Sequence, residues 1–175
     1  MRYKEFLVGQ LFRLAPGHFH AKSELDPGKV PLISCGWENN GLIGYYDIPD
    51  ENTHSHALTV AFNGAPLTTH FHPYKFGAKD DVAVLLPVNP MRESVLIYVA
   101  ALLNAKTWRY SYGRKCYREK LKNVTLTLPV EGRGHAIDPE LPDALLKEAH
   151  GRVKSAATES VEALLSRSGS SGPNP

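Results

Sequence analysis

Cysteine is scarce in this sequence, and long apolar runs are absent from it. Its 175 residues include two cysteines, Cys35 and Cys116, which lie far apart and outside any C-x-x-C pattern. They fit a reducing compartment, with both thiols free or buried. The first residues lack the apolar core of a secretion signal, and nowhere do about 18 apolar residues follow one another. The sequence therefore predicts a cytoplasmic protein.

The motifs of common catalytic sites are missing as well. There is no G-x-S-x-G nucleophile turn, no G-x-x-x-x-G-K-[ST] phosphate loop and no G-x-G-x-x-G fingerprint after a strand. An adenine methyltransferase needs an N/D-P-P-Y/F loop, and the nearest segment, Pro87-Val88-Asn89-Pro90-Met91, does not match it. We therefore predict a recognition chain that is not an enzyme and uses no cofactor.

Histidine pairs leave one enzymatic alternative open. Eight histidines are present, and six of them form H-x-H pairs, in which two imidazoles would share one face of a strand. These pairs are His18/His20, His54/His56 and His70/His72. The run from His18 to Glu24 resembles the metal-ligand run of cupin barrels, but the glycine spacing after Glu24 is wrong. We favour surface or packing histidines and predict no metal site. A small metal-dependent enzyme is the alternative, which metal analysis of the purified protein would detect.

Charge is nearly balanced over the chain but concentrated in one place. The formal net charge is +2, yet residues 106–128 hold seven basic side chains against a single acid, Glu119. The basic residues are Lys106, Arg109, Arg114, Lys115, Arg118, Lys120 and Lys122, and the aromatic residues among them are Trp108, Tyr110, Tyr112 and Tyr117. A polyanion is the first candidate partner. A solvated helix face and contact with an acidic protein are the alternatives.

The centre of this basic stretch combines residue types that suit nucleic acid. Gly113 permits a turn or a close approach to a phosphate. Arg114 offers a planar fork that fits phosphates or the major-groove edge of guanine, and Lys115 offers a point charge. Tyrosine rings such as Tyr112 stack or hydrogen-bond to backbone oxygens.

Residues 1–130 show short strands bounded by turn residues, as expected for one well-buried core. Strands are predicted over residues 30–34, 42–46, 57–62, 68–74, 82–86 and 124–129. The first two surround an Asn-Gly turn, and the next two form a hairpin. Residues 6–14 fit a strand or a short helix, and apolar spacing predicts a helix over 92–106. The fold class is mixed α/β (α+β), with an antiparallel-rich sheet.

The C-terminal part changes in composition. Residues 131–137 are predicted to be a linker, residues 138–166 an amphipathic helix that Asp138 and Pro139 begin, and residues 167–175 a disordered tail rich in Ser, Gly and Pro. The apolar stripe of the helix is Leu141, Leu145, Ala149, Val153, Ala156, Val161 and Leu164. A lone amphipathic helix needs a partner, so we expect a homodimer or a partner subunit to pair with it.

Four segments of the chain occur in an order that is characteristic of a known domain family. They are W-E-N-N-G-L-I-G-Y-Y after V-P-L-I-S, then L-T-V-A-F-N-G-A-P-L-T-T-H-F, K-F-G-A-K-D-D-V-A-V-L-L-P and Y-S-Y-G-R-K-x-x-x-E-K-L-K-N-V-T-L-T-L-P. Together they resemble the target-recognition domain of the DNA-specificity subunits of type I restriction–modification systems and related specificity modules. The resemblance covers residues 6–130.

In that family the domain reads a short half-site in duplex DNA, while a separate subunit carries out methylation or cleavage. The resemblance therefore implies sequence-specific double-stranded DNA binding, as a half-subunit-like specificity component of a restriction–modification or related DNA-modification or phage-defence system. A complete specificity subunit has two recognition domains and two long helices, whereas this sequence has one of each. This difference implies that the chain forms a dimer or assembles with a methyltransferase or nuclease subunit. The residues expected near DNA are Asn39, Asn40, Thr68, Thr69, Lys75, Tyr112, Arg114, Lys115 and Arg118.

Overall fold

The computed structural model describes residues 2–19, 23, 25–132 and 136–168, with side chains described as far as residue 163. The chain divides into two compact units, Met1–Pro139 and Glu140–Pro175. Within the described ranges, no helix has both the length and the apolar character needed to span a membrane.

The first unit begins with a strand, one helical turn and a second strand. These are β1 (Arg2–Leu7), α1 (Val8–Leu11) and β2 (Phe12–Pro16). The sequence left strand and helix open over residues 6–14, and both occur there. The Leu7 amide donates a hydrogen bond to Oε1 of Gln10 at 2.8 Å, which closes the turn. The turn then buries Val8 and Leu11 in the core.

A four-stranded antiparallel sheet forms the centre of the first unit. Its order is β2, β9 (Val82–Pro87), β6 (Ala57–Ala61) and β7 (Thr69–His72). On β9, Ala83 and Leu85 join the main core, whereas Val82 and Val84 join a second apolar cluster. Because alternate side chains feed two different clusters, the strand is apolar throughout. The predicted buried strand and the predicted hairpin before it are both confirmed.

A second sheet is built around β3. Its order is β4 (Leu42–Tyr46), β3 (Pro27–Ile33), β8 (Phe76–Ala78) and β5 (Thr53–His54). The predicted pairing of two strands around the Asn-Gly turn is confirmed, since β3 and β4 run antiparallel. β8 pairs with β3, in parallel, only at Leu32 and Ile33. Pro31 therefore lies where β3 has a partner on one side only, a position that tolerates proline.

Two helices and a last strand complete the first unit. They are α2 (Glu93–Asn104), α3 (Arg118–Lys122) and β10 (Thr125–Val130). The predicted helix is confirmed in α2, which packs Leu96, Val99 and Leu103 into the main core. β10 pairs antiparallel with β1, with Arg2 opposite Val130.

The segment predicted to be a linker folds back on β10. The Glu131 amide donates to the Ala136 carbonyl at 3.0 Å, and the Asp138 amide donates to the Pro129 carbonyl at 3.0 Å. Val130 and Ile137 form an isolated bridge. The first unit accordingly ends at Pro139, several residues beyond the predicted boundary at 130.

The second unit is one long helix, α4 (Glu140–Ser168). The sequence placed its first residue at 138, whereas the helix starts at Glu140. Residues 147–163 are all exposed, and Val153 keeps 69% of its surface accessible. Residues 167 and 168 of the predicted disordered tail belong to α4, and the remainder of that tail lies outside the described residues. The mixed α/β class, the antiparallel-rich sheets and the C-terminal helix are thus confirmed.

Candidate nucleic-acid interface

The connection between β3 and β4, loop 35–41, holds three consecutive residues in the left-handed region. Asn39, Asn40 and Gly41 have φ values of 50°, 53° and 74°. The Gly41 amide donates to the Glu38 carbonyl at 2.8 Å, and the Gly41 carbonyl accepts from the Ser34 amide at 2.9 Å. Asparagine tolerates this conformation better than most residues. The loop is therefore a fixed turn, and it presents both asparagine side chains to solvent.

The second connection is the turn between β6 and β7, hairpin turn 62–68. It is closed by hydrogen bonds from the Leu67 amide to the Ala61 carbonyl at 3.0 Å and from the Ala61 amide to the Thr68 carbonyl at 2.9 Å. Phe62 and Leu67 turn inward, whereas Gly64 is exposed. Only the tip of this hairpin reaches solvent.

Thr68 and Thr69, expected near DNA, are buried instead. Each keeps 2% of its surface accessible. Thr69 Oγ1 donates to the Leu67 carbonyl at 2.8 Å, and its backbone amide donates to Oδ1 of Asn104 at 2.8 Å. Asn104, at the end of α2, covers this strand end. In this structure neither threonine side chain is accessible to DNA, and we correct that expectation.

The third connection, basic loop 106–117, follows α2 directly. Thr107 Oγ1 donates to the Asn104 carbonyl at 2.9 Å, which fixes the exit of the helix. Trp108 is 76% exposed and Tyr112 is 82% exposed. The Arg109 guanidinium stands 5.0 Å from the centre of the Trp108 ring. The basic loop therefore presents two large aromatic rings to solvent beside its arginines.

Contacts between their residues join these three connections into one surface, which we name the three-loop surface. Nε2 of His70, on β7, lies 3.1 Å from the Gly36 carbonyl. A β-carbon on Gly64 would stand 3.4 Å from the Cys35 carbonyl oxygen, so the hairpin tip touches loop 35–41. On its other side, Asn63 accepts a hydrogen bond from Lys115 at 2.6 Å. The hairpin turn thus lies between the other two loops.

The basic residues of the stretch are distributed over different parts of the unit. Arg109 and Arg114 are exposed on the basic loop. Arg118 lines a separate hollow together with Asp80 and Glu119. Glu119 also pairs with Lys122 at 2.7 Å. Lys122 lines the same hollow, so two acids offset two basic residues there, whereas Arg109 and Arg114 lie exposed on the basic loop.

Lys75 lies on the β7–β8 connection. It is exposed and forms an ion pair with Asp50, which precedes β5. An exposed pair of this kind contributes little to stability. Lys75 is therefore accessible to a ligand, but part of its charge is already offset.

The histidine pairs of the sequence are not arranged alike. His70 and His72 share β7, and both ring nitrogens of His72 are hydrogen-bonded, to Thr59 Oγ1 at 2.9 Å and to the Tyr74 hydroxyl at 3.2 Å. Burial lowers the pKa of His72 to about 3. A metal at His72 would have to displace one of these bonds, so we assign it a packing role.

The other histidine pairs share no strand face in the described part of the chain. His54 ends β5, whereas His56 has a φ of 49° and directs Nε2 to the Met91 carbonyl at 3.0 Å. His18 stacks on His54 with ring centres 6.4 Å apart, and His20 lies outside the described residues. Among the described residues, no three histidine, cysteine, aspartate or glutamate side chains form a metal-binding group.

The two cysteines are unpaired thiols. Burial raises the pKa of Cys35, and a hydrogen bond with Asp81 raises it further. Burial also raises the pKa of Cys116. Both thiols are therefore protonated at neutral pH, which is the unreactive form.

Sequence reasoning missed two residues of the three-loop surface. Trp37 is 68% exposed beside the asparagines of loop 35–41, and Asn63 holds the hairpin against the basic loop. The sequence did contain a signal for Trp37. It lies in the polar run G-W-E-N-N-G, and a tryptophan among polar neighbours is expected to be exposed. The role of Asn63 depends on a contact 52 residues along the chain, which local patterns do not reveal.

Comparisons with known proteins agree with the resemblance drawn from the sequence. No family model matches the chain. A curated relative, the type II restriction enzyme specificity subunit S.BcgI of Heyndrickxia coagulans, is 25% identical over 160 residues, which are 91% of this chain and 47% of the relative. The chain thus spans about half the length of the curated relative it matches.

Solved structures match over the same fraction. The type I S subunit from M. genitalium has a TM-score of 0.57 at 14% identity, covering 89% of this chain and 43% of that chain. A chain of a type I restriction–modification system has a TM-score of 0.67 at 15% identity, covering 94% and 43%. The HsdS subunit from Thermoanaerobacter tengcongensis has a TM-score of 0.61 at 14% identity, covering 90% and 39%. The predicted resemblance to specificity subunits is confirmed, and these structures share the fold.

Proposed function

We propose that this chain binds duplex DNA sequence-specifically as the specificity component of a restriction–modification or related DNA-modification or phage-defence system. The observation that carries the proposal is the three-loop surface, where contacts between distant segments join the loops that carry exposed asparagines, arginines and tryptophans. The similarity to S.BcgI supports it. In this role the chain itself is not a catalyst, and a partner subunit acts on the DNA.

Backbone contacts come from the basic loop. The Arg114 guanidinium makes no hydrogen bond or ion pair with any residue that the structure describes, and it is exposed. The backbone beneath it is fixed, because the Arg114 amide donates to the Ser111 carbonyl at 2.9 Å. Arg109 lies over Trp108, which orients its fork. Exposed guanidinium groups on a fixed backbone suit phosphate oxygens.

Base contacts come from loop 35–41. Asn39 and Asn40 project from a turn whose backbone is already fixed, so they lose little conformational freedom on binding. An asparagine amide can bond adenine N6 and N7 together in the major groove. Trp37 adds an exposed ring that can pack against sugar or a thymine methyl group. Phosphate contacts would supply affinity that does not depend on sequence, and loop 35–41 would read the bases.

Assembly is assigned to α4. Its apolar stripe is exposed, with Val153 at 69% and Val161 at 55%. We propose that a second copy of the chain or a partner methyltransferase or nuclease subunit covers this stripe. A two-fold dimer would present two reading surfaces to a two-part site. The unpaired thiols suit the cytoplasm, where we place the complex.

Selection from a randomised duplex library tests the DNA-binding proposal. The parent chain should enrich one sequence family, which is then compared with a scrambled duplex of the same composition. Removing both arginines in Arg109→Gln/Arg114→Gln should weaken binding of the two duplexes alike. The slope of log K against log salt should fall by about 1.8, since each phosphate contact contributes about 0.9.

The matched control removes the same charge from α4, as Lys147→Gln/Lys154→Gln. This variant should keep the parent's salt slope. If the parent enriches no sequence, alone or with its partner subunit, the proposal is wrong. If both double variants lose equal affinity, binding is due to net charge and the three-loop surface is not the site.

The assembly proposal has a separate test. Val153→Glu/Val161→Glu should shift the chain from the assembled to the monomeric mass in sedimentation, because two charges then lie on the apolar stripe. Ser155→Glu lies two residues from Val153 and six from Val161, hence on another face of α4, and should leave the mass unchanged. A parent that is monomeric both alone and mixed with its partner subunit would rule out this role of α4.

A further inference from the structure

Lys115 and Arg114 are adjacent in sequence but occupy different environments. Arg114 is exposed, whereas Lys115 is half-buried. The Lys115 ammonium donates to Asn63 Oδ1 at 2.6 Å. It also lies 4.9 Å from the centre of the Tyr112 ring and 5.8 Å from that of Tyr117. One amide oxygen and two aromatic faces therefore surround this charge.

These contacts replace part of the water that an exposed ammonium would keep. A hydrogen bond from a charged donor is stronger than a neutral one, and a partly desolvated cation over an aromatic ring adds to it. Turning Lys115 toward a phosphate would give up all three contacts at once. Arg114 has no such contacts among the described residues, so it reaches a phosphate without this loss.

The partners of Lys115 belong to both sides of one junction. Tyr112 and Tyr117 lie on the basic loop, and Asn63 lies on the hairpin turn. The junction has a second contact, because the Tyr117 ring stands 5.9 Å from the ring of Phe62. The hairpin turn in turn touches loop 35–41 at Gly64. Lys115 thus lies at the link between the basic loop and the rest of the three-loop surface.

We propose that Lys115 is a positioning residue, which fixes the basic loop against the hairpin turn through Asn63 and makes no phosphate contact itself. This inference rests on the proposed DNA-binding function, and it assigns different roles to the basic residues of the loop. Arg109 and Arg114 contact the backbone of the duplex. Lys115 sets the spacing between these arginines and the asparagines that face the bases.

The first test uses the duplex that the parent chain selects from the randomised library, together with its scrambled counterpart. Lys115→Met keeps the length of the side chain and removes its charge. It should leave the salt slope unchanged and reduce the preference for the selected duplex about tenfold, because the spacing between the arginines and the base-reading loop is no longer fixed. Arg114→Gln, the matched control, should lower the salt slope by about 0.9 and leave the preference intact.

Lys115→Arg completes this set. The guanidinium keeps the charge but does not fit between two tyrosine rings as a compact ammonium does. It should therefore keep the salt slope and recover only part of the preference. If Lys115→Met lowers the slope as much as Arg114→Gln and weakens both duplexes equally, Lys115 is a phosphate contact and the inference is wrong.

The second test needs no DNA and is independent of the proposed function. Unfolding by urea is compared for Lys115→Met, Asn63→Ala and the double variant. If the two residues act together, each single change lowers the urea midpoint. The midpoint of the double variant is then no lower than that of the less stable single variant. Additive losses would show that no such link exists. If the parent chain binds no duplex, the proposed function is wrong. The unfolding comparison still decides whether Lys115 and Asn63 are coupled.

Discussion

His70 on β7 donates a hydrogen bond from Nε2 to the backbone carbonyl of Gly36, 3.1 Å away. A carbonyl oxygen only accepts, so the proton of the neutral ring lies on Nε2. Through this bond a rigid strand of the central sheet holds the start of loop 35–41. The position of Trp37 and the two asparagines thus depends on a side chain from another sheet.

Removing this bond should loosen the loop. We expect His70→Leu to cost about 1 kcal/mol in the free energy of unfolding, since the Gly36 carbonyl loses its partner. The more specific result is a drop in the fluorescence anisotropy of Trp37, measured in a Trp108→Phe background so that one tryptophan reports. His150→Leu, on exposed α4, should change neither quantity. Unchanged anisotropy in His70→Leu would show that the loop is held elsewhere.

Gly41 should resist substitution. Its φ is 74°, and a β-carbon there would stand 2.5 Å from the carbonyl oxygen of Ser34. Gly41→Ala is therefore expected to cost about 2 kcal/mol, from backbone strain and from the displaced carbonyl. Gly113→Ala is the control, because a β-carbon at Gly113 meets nothing within 4 Å. Urea unfolding of both variants measures the difference, and equal midpoints would contradict the prediction.

The asparagines should affect sequence preference without affecting charge. Asn39→Ala and Asn40→Ala are expected to lose about 1–3 kcal/mol of discrimination for each base contact that they remove. The salt slope should stay at the parent's value, since no phosphate contact is lost. Competition between the selected duplex and single-base variants of it identifies the affected position. Uniform weakening on every duplex would place these residues at the backbone.

Acid should destabilise the first unit through His72. Burial lowers its pKa to about 3 in the folded chain, against 6.5 for the exposed residue. Below pH 6.5, therefore, the His72 ring binds a proton in the unfolded chain but stays neutral in the folded chain. Stability should fall by up to about 1.4 kcal/mol per pH unit as pH drops from 6.5 toward 3. Urea midpoints between about pH 4 and pH 7 measure this loss.

Two variants isolate the contribution of His72. His72→Phe removes the titrating group, so it should be less stable at neutral pH and lose less on acidification. His150→Leu removes an exposed histidine and should keep the parent's pH dependence. If His72→Phe loses stability as steeply as the parent does, another group is responsible.

Elements with a strong local pattern were predictable from the sequence. The β6–β7 hairpin, the apolar strand β9 and the helix α2 each follow from periodicity and turn residues within a short window. Residues 6–14 were ambiguous because one helical turn joins two strands there. This turn is closed by a hydrogen bond from the Leu7 amide to the Gln10 side chain, and such a short turn produces no apolar periodicity in the sequence.

The candidate site was less predictable, because its members are set by distant contacts. Thr68 and Thr69 are polar and follow a turn, which favours exposure, yet Asn104 covers Thr69 from another element. Lys115 and Arg114 are equivalent in a charge count, and only the contact with Asn63 separates them. Asn39 and Asn40 are exposed because they lie in a turn, which the sequence does reveal, and their contact with DNA stays a prediction.

The pairing of β1 with β10 has a consequence for synthesis of the chain. Arg2 lies opposite Val130, so β1 cannot pair until the last strand of the unit, β10, has left the ribosome. Until then β1 is an unpaired edge, and the core beneath it is incomplete. Such a long sequence separation slows closure of the fold. The nascent unit therefore completes its folding only after residue 130 has emerged, and it is most exposed to aggregation during that interval.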